Sequence, residues 1–231
     1  MIIYDNNSPQ KGIREQLLTA RDRCQKFLPR VVLDALKESA GNAYVAGGFC
    51  RDLFRDETPN DIDIFFSCLR AHDNFLDYLN TEEEIVYRAL SNCTVVDIWK
   101  FPKHDIEEFL KIYLFRRGYY KDVNSLLSSF DFTCCQAAFW YDPSGAEFVF
   151  SAGDSFIADA RVKTLNYAYP ERNGSAADSF MRMLRFLRRG WWVSDDTVAA
   201  VLSRTLAKLS GKSVEDLEKA LAAMIARRGM Y

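Results

Sequence analysis

The chain has 231 residues, 48% apolar and 27% charged, and its 30 Lys+Arg against 32 Asp+Glu leave a formal net charge of -2. That composition belongs to a globular chain with length for one large domain or a domain plus an appendage, and it excludes collagen-like, disordered and disulfide-scaffold chains. The charge is unevenly spread: residues 1–160 carry 17 basic and 25 acidic side chains, whereas residues 161–231 carry 13 and 7, so an anionic partner is expected against the C-terminal third.

Residues 12–39 predict two helices, with Ile13, Leu17, Leu18 and Arg21 at amphipathic spacing and VVLDALKES following Pro29. Beyond Gly41, AYVAG predicts a short buried strand, FCRDLF a helical turn or more, and DIDIFF a strand with alternate faces. A helix is expected near 70–80. Two strands, EIVYRAL and CTVVDIWKF, follow as a hairpin about Ser91-Asn92. Residues 105–129 predict helix, FTCCQAAFWY a long apolar strand ending at the turn DPSG, and EFVF its return. From 155 onward the pattern is helical, with Ser213 as an N-cap before VEDLEKALAAMIARR. The expected division is N-terminal helices (1–40) packing on a mixed α/β head (41–160), then a helical part (161–231).

No apolar run approaches the roughly 20 residues that span a bilayer, and MIIYDNNSPQKGIREQ lacks the basic and apolar regions of a signal peptide. A cytoplasmic chain, not embedded in a membrane, is expected. The six cysteines are scattered without a CxxC pair, and only His72 and His104 could join them, so reduced, buried thiols are expected in place of zinc ligands or disulfides.

The chemistry concentrates between Tyr44 and Ile64. Asp61 and Asp63, two apart on a strand, share a face, and their adjacent negative charges need a counter-charge. A pair of Mg²⁺ ions supplies one, because hard carboxylate oxygens suit Mg²⁺ while it keeps phosphate oxygens and waters. Upstream, Gly47-Gly48 closes a strand and opens a short helix, so that backbone N–H groups can approach a triphosphate with no Cβ in the way. Together these parts describe a nucleoside triphosphate held for in-line phosphoryl transfer.

The segment GGFCRDLFRDETPNDIDIFF resembles the active-site motif of the DNA polymerase β-type nucleotidyltransferase superfamily, in the form found in bacterial poly(A) polymerases and CCA-adding enzymes. The resemblance implies an α+β fold, a mixed-sheet head followed by a small helical neck. It implies that Asp61 and Asp63 bind two catalytic Mg²⁺ ions (Mn²⁺ substituting), with Gly47, Gly48, Arg51 and Asp52 shaping the triphosphate site. SFDFTCCQAAFWYDPSG is similar to the family's second motif at Asp131, Phe132 and Thr133, but Ser129 and Phe130 stand where two arginines belong. Those arginines are associated with the sugar of the nucleotide, so deoxynucleotides become admissible.

Asp178, Arg182, Arg185 and Arg188 resemble the helix that opens the family's neck. Three arginines at spacing three lie along one side of a helix, with Met181, Leu184 and Leu187 expected to pack on the core. The arginines are expected to face a phosphate-bearing groove, and Trp191 or Trp192 to stack a base or fill the core. A third carboxylate is expected on a neighbouring strand: Asp97 in CTVVDIWKF is the first choice and Asp131 the competing one.

About 40 residues follow the arginine helix, too few for a tRNA-measuring body. The chain ends in Arg227-Arg228-Gly229-Met230-Tyr231, and a tyrosine hydroxyl can act as nucleophile. The ending and the shortened architecture are similar to the nucleotidyltransferase of Hailong-type anti-phage defence systems. That likeness implies untemplated synthesis of short single-stranded, adenine-rich oligonucleotides from nucleoside or deoxynucleoside triphosphates, primed on Tyr231 and acting on a membrane effector. The competing expectations are transfer of one nucleotide to a protein or tRNA end, and a non-catalytic binding module.

Overall fold

The computed structural model describes residues 2–80, 85–89, 93–99, 109–116, 118–169, 176–209, 213 and 215–216. Its centre is an eight-stranded sheet. The strands are β1 (Ile3–Tyr4), β2 (Ala43–Ala46), β3 (Asp61–Phe66), β4 (Ile85–Ala89), β5 (Cys93–Trp99), β6 (Phe109–Phe115), β7 (Ala137–Asp142) and β8 (Glu147–Gly153), in spatial order β1-β8-β7-β2-β3-β6-β5-β4. Every neighbouring pair is antiparallel except β3 and β6, which run parallel. The α+β class expected from the sequence is the one found.

Strand β3 shows why the sheet has two unlike faces. Its alternation places Ile62, Ile64 and Phe66 in the core at no more than 1% exposure, leaving Asp61 and Asp63 on the other side. Against the apolar face pack α1 (Lys11–Phe27), α2 (Arg30–Glu38), α3 (Gly48–Phe54) and α4 (Leu69–Leu79), through Leu17, Cys24, Val32, Leu36, Phe49 and Phe75. The N-terminal helices therefore share one core with the sheet. On the aspartate face a smaller cluster of Tyr44, Ala46, Ala138 and the helix α5 (Val123–Leu127) covers the strands beyond the carboxylates.

Helix α6 (Phe156–Val162) adds Phe156 and Ala160 to the large core, and a third cluster joins α7 (Ala176–Arg188) and α8 (Asp195–Leu209) to the segment before β7. It contains Phe132, Cys134, Cys135, Leu165, Tyr167, Met183, Phe186, Trp191 and Val201. Cys24, Cys50, Cys134 and Cys135 are buried and Cys68 is exposed, and these five are free thiols. No described helix is long and apolar enough to cross a membrane.

The structure corrects four expectations. Residues 105–129 are not one helix: Phe109–Phe115 is strand β6, with Ile112 and Leu114 fully buried and Lys111, Tyr113 and Phe115 on the opposite face. The run FLKIYLF satisfies either period, and pairing with β3 and β5 decides for the strand. The strand expected over 132–141 begins only at Ala137, because Thr133–Cys135 form a 3-10 turn in which the Gln136 N–H donates to the Thr133 carbonyl at 3.0 Å. The C-terminal part is not wholly helical: β9 (Thr164–Leu165) and β10 (Trp192–Val193) pair in parallel after Lys163 ends α6 in the left-handed region. Finally, α7 buries Ser179, Met183 and Phe186 in place of Met181, Leu184 and Leu187, and Leu187 is 43% exposed. The expected hairpin is present as the antiparallel β4–β5 pair, and Ser213 accepts the Asp216 N–H at 3.1 Å as an N-cap does.

Because Ile64 lies at the centre of the largest cluster, Ile64→Ala should destabilise the fold by about 2–5 kcal/mol. Equilibrium urea unfolding followed by circular dichroism measures this.

Candidate active site

The site is built where β2 passes into α3 beside the start of β3. Gly47 ends β2 with φ 78° and ψ -127°, a conformation that side chains rarely adopt, and a Cβ there would approach the Phe130 ring to 3.3 Å. Its N–H donates to the Ala137 carbonyl at 3.0 Å, fixing the turn against β7. Gly48 then opens α3. In register with Ala46 at the end of β2 stands Asp63, so the glycine turn and the carboxylate pair are neighbours by sheet geometry.

Asp61 is exposed and Asp63 half-buried. Among the described residues neither carboxylate makes a hydrogen bond or ion pair. Burial, then the charges of Asp61 and Cys135, push the Asp63 carboxyl up to about 7, against a smaller opposing pull from Arg182. Two adjacent carboxylates with so little compensation have the donor chemistry for a divalent cation. No group of three His, Cys, Asp or Glu side chains among the described residues is placed to enclose a metal. A cation held by these two aspartates would complete its shell with water and phosphate oxygens, as Mg²⁺ commonly does.

The neighbours of β3 carry no carboxylate beside the pair. On one side stands Ala46, and on the other Lys111 and Tyr113 of β6, in register with Asp61 and Asp63. Asp97 lies one strand further out, opposite Lys111 on β5, so the expectation of a third carboxylate on an adjacent strand is corrected. Two strand spacings, about 10 Å, separate its backbone from that of Asp61. Asp131 lies in the segment before β7. It is buried, and its Oδ2 receives the Arg182 guanidinium at 2.8 Å from Nε and 2.6 Å from Nη2. Arg182 in turn is near enough to Asp63 to oppose its elevated pKa.

Arg51 is 6% exposed, and its donors are spent inside the protein. Nε and Nη2 bind Asp52 Oδ1 at 2.8 and 2.6 Å, and Nη1 reaches the Cys135 sulfur at 3.6 Å. The guanidinium also lies 5.1 Å from the Phe186 ring centre and 5.5 Å from that of Trp191. Cys135 and Asp52 hold the Arg51 charge more firmly than burial opposes it. Arg51 and Asp52, expected to shape the triphosphate site, here join α3 to the C-terminal cluster. Trp191 belongs to that joint, while Trp192 is 62% exposed. Arg185 and Arg188 are exposed on α7. Tyr231 lies outside the described residues.

Sequence reasoning missed Lys111 and Tyr113 because their segment was expected to be helical; the alternation of Ile112 and Leu114 with polar or aromatic residues was the available signal.

A family model described as Gabija anti-defense 2 family protein matches residues 19–159. The chain belongs to the Gabija anti-defense 2 family. The matched span includes the glycine turn, both aspartates and the Asp131 segment. A relative named "Gabija anti-defense 2", from Bacillus phage SPbetaL7, is 26% identical over 119 residues, covering 52% of this chain and 27% of that protein. Among solved structures, the Thermotoga maritima CCA-adding enzyme complexed with tRNA aligns with TM-score 0.54 and 16% identity over 90% of this chain and 46% of the enzyme. A CCA-adding enzyme complexed with CTP aligns with TM-score 0.57 and 18% identity over 95% of this chain and 49% of that one. These likenesses establish the nucleotidyltransferase-type fold of this Gabija anti-defense 2 family member. The chain spans about half the length of those enzymes and about a quarter of the phage relative.

Two outcomes follow. The neutral Asp63 carboxyl is favoured on folding, so its contribution to stability is complete below the unfolded value near 4 and is lost as pH rises through about 7. A cation needs the ionised form. Between pH 5.5 and 8 the rise in melting temperature caused by Mg²⁺ or Mn²⁺ should therefore grow, and Asp63→Asn should remove that growth in differential scanning fluorimetry. Separately, Arg51→Ala leaves Asp52 buried without its partner and should cost about 3–5 kcal/mol in urea unfolding.

Proposed function

We propose that the protein is a metal-dependent, template-independent nucleotidyltransferase. The observation that carries this is the uncompensated pair Asp61 and Asp63, side by side on β3 and adjoining the Gly47-Gly48 turn. Asp61 and Asp63 would hold the divalent cations. Bound Mg²⁺, or Mn²⁺ in its place, lowers the pKa of an attacking hydroxyl and stabilises a pyrophosphate leaving group.

The chain's own residues do the positioning. Gly47 and Gly48 put no Cβ between phosphate oxygens and the backbone of the turn, and Arg182, half-exposed on its Asp131 anchor, presents its remaining donors beside Asp63. The hydroxyl oxygen of an acceptor bonds to the α-phosphorus, the bond to the β-phosphate oxygen breaks, pyrophosphate departs, and the hydroxyl proton passes to solvent. Arg185 and Arg188, exposed along α7, continue the positive surface along which a product strand would lie.

The substrate is a nucleoside or deoxynucleoside triphosphate. The missing arginines at Ser129 and Phe130 support admission of the deoxy form, and Phe130 instead packs over Gly47. The product is a short single-stranded oligonucleotide, with Tyr231 as the proposed primer. The family's name favours action on the phage side, against Gabija defence, over the defence signal and membrane effector expected from the sequence.

Incubation with each labelled nucleotide and Mg²⁺, resolved on a denaturing gel, tests the reading. Wild type should incorporate label, and Asp61→Asn, folded by circular dichroism, should not. A ladder supports polymerisation and one added unit supports single transfer to a protein or tRNA end; no incorporation with any nucleotide would overturn the enzymatic reading.

A further inference from the structure

Strand β6 lies against the carboxylates, and its exposed face carries nothing that the metal chemistry uses. Lys111 is in register with Asp61 and Tyr113 with Asp63. Register partners in a sheet point to the same face, so a cation and an aromatic ring flank the two aspartates in matching order. Lys111 is exposed, in register with Asp61 of β3 on one side and Asp97 of β5 on the other, and among the described residues its ammonium makes no ion pair. Tyr113 is half-buried.

Further along the same face the surface becomes a fixed aromatic block. Phe115 stacks on Phe65 with ring centres 4.8 Å apart and planes inclined by 4°, while Tyr120 and Phe130 meet Phe65 edge-on at 6.0 and 5.8 Å. The row from the solvent inward therefore reads cation, half-exposed phenol, packed rings. Alternation of a backbone-neutralising cation with a stacking ring is the pattern by which proteins hold single-stranded nucleic acid irrespective of sequence.

We propose that Lys111 and Tyr113 form the acceptor side of the site and that the acceptor is a single-stranded nucleic acid end. Lys111 binds a backbone phosphate and Tyr113 stacks the terminal base, aiming the terminal hydroxyl at the triphosphate beside Asp61 and Asp63. Both are positioning residues, and the assignment rests on the nucleotidyltransferase reading for its direction. It also explains the company β3 keeps. A carboxylate on β6 would repel the acceptor's phosphate, whereas Lys111 attracts it.

The test is fluorescence anisotropy of the full chain with a fluorescein-labelled single-stranded 12-mer, in DNA and RNA forms, at several salt concentrations. Lys111→Ala should weaken binding at least about fivefold and reduce the salt slope by about 0.7, the value for one phosphate contact on a single strand. Lys111→Arg should restore both. Tyr113→Ala should weaken binding by about 5-fold to 100-fold with the salt slope unchanged, and Tyr113→Phe should bind as wild type. The inference is overturned if wild type does not bind the strand, or if both alanine variants bind it with wild-type affinity and slope. The nucleotidyltransferase reading fails separately, if wild type binds the strand as expected yet adds no nucleotide to it.

Discussion

A guanidinium taken out of water must be given back its hydrogen bonds and counter-charge, and Arg51 receives them from three parts of the chain at once. Asp52 supplies the carboxylate, Cys135 a sulfur from the 3-10 turn before β7, and Phe186 and Trp191 the faces of two rings from the C-terminal cluster. A desolvated cation over aromatic rings contributes about 2 kcal/mol. The larger consequence is geometric. Arg51 sits in the helix whose first turn is Gly47-Gly48, so the contacts that satisfy it also fix the entrance of the site relative to α7.

The same economy governs the second joint. Arg182 is bound to buried Asp131 from the opposite direction, tying α7 to the loop before β7 on the carboxylate side. Through Arg182 and Asp131, one basic residue of the last part meets an acidic residue of the first beside Asp63. What they leave uncompensated is Asp61 and Asp63. Their mutual repulsion, raised further by burial at Asp63, is the one electrostatic debt that no described side chain discharges.

Strand β3 was legible because its pattern is redundant. In DIDIFF the alternation, the β-branched residues and the paired aspartates all indicate one strand with one polar face, and β3 has it. Segment FLKIYLF was not, since a short apolar run supports both periods until its neighbours are known. The face of α7 was ambiguous for a similar reason: Met181, Leu184 and Leu187 form as good an apolar stripe as Phe180, Met183 and Phe186, and only the position of Phe132 and Trp191 selects the second. Arg51 could be recognised as important but not as internal, because a sequence does not show that Cys135 and Trp191 converge on it. The carboxylate pair depends on local spacing, whereas the surroundings of Asp97 and Asp131 depend on strand order and tertiary contact, which the sequence does not display.

The central claim is that Asp61 and Asp63 together hold a divalent cation against a triphosphate. Anomalous diffraction from crystals grown with Mn²⁺ and a non-hydrolysable nucleotide tests it most directly. Manganese peaks within coordination distance of both carboxylates, with phosphate oxygens completing the shell, are the predicted result. Nucleotide bound elsewhere, or manganese absent from the pair while nucleotide is present, would contradict it.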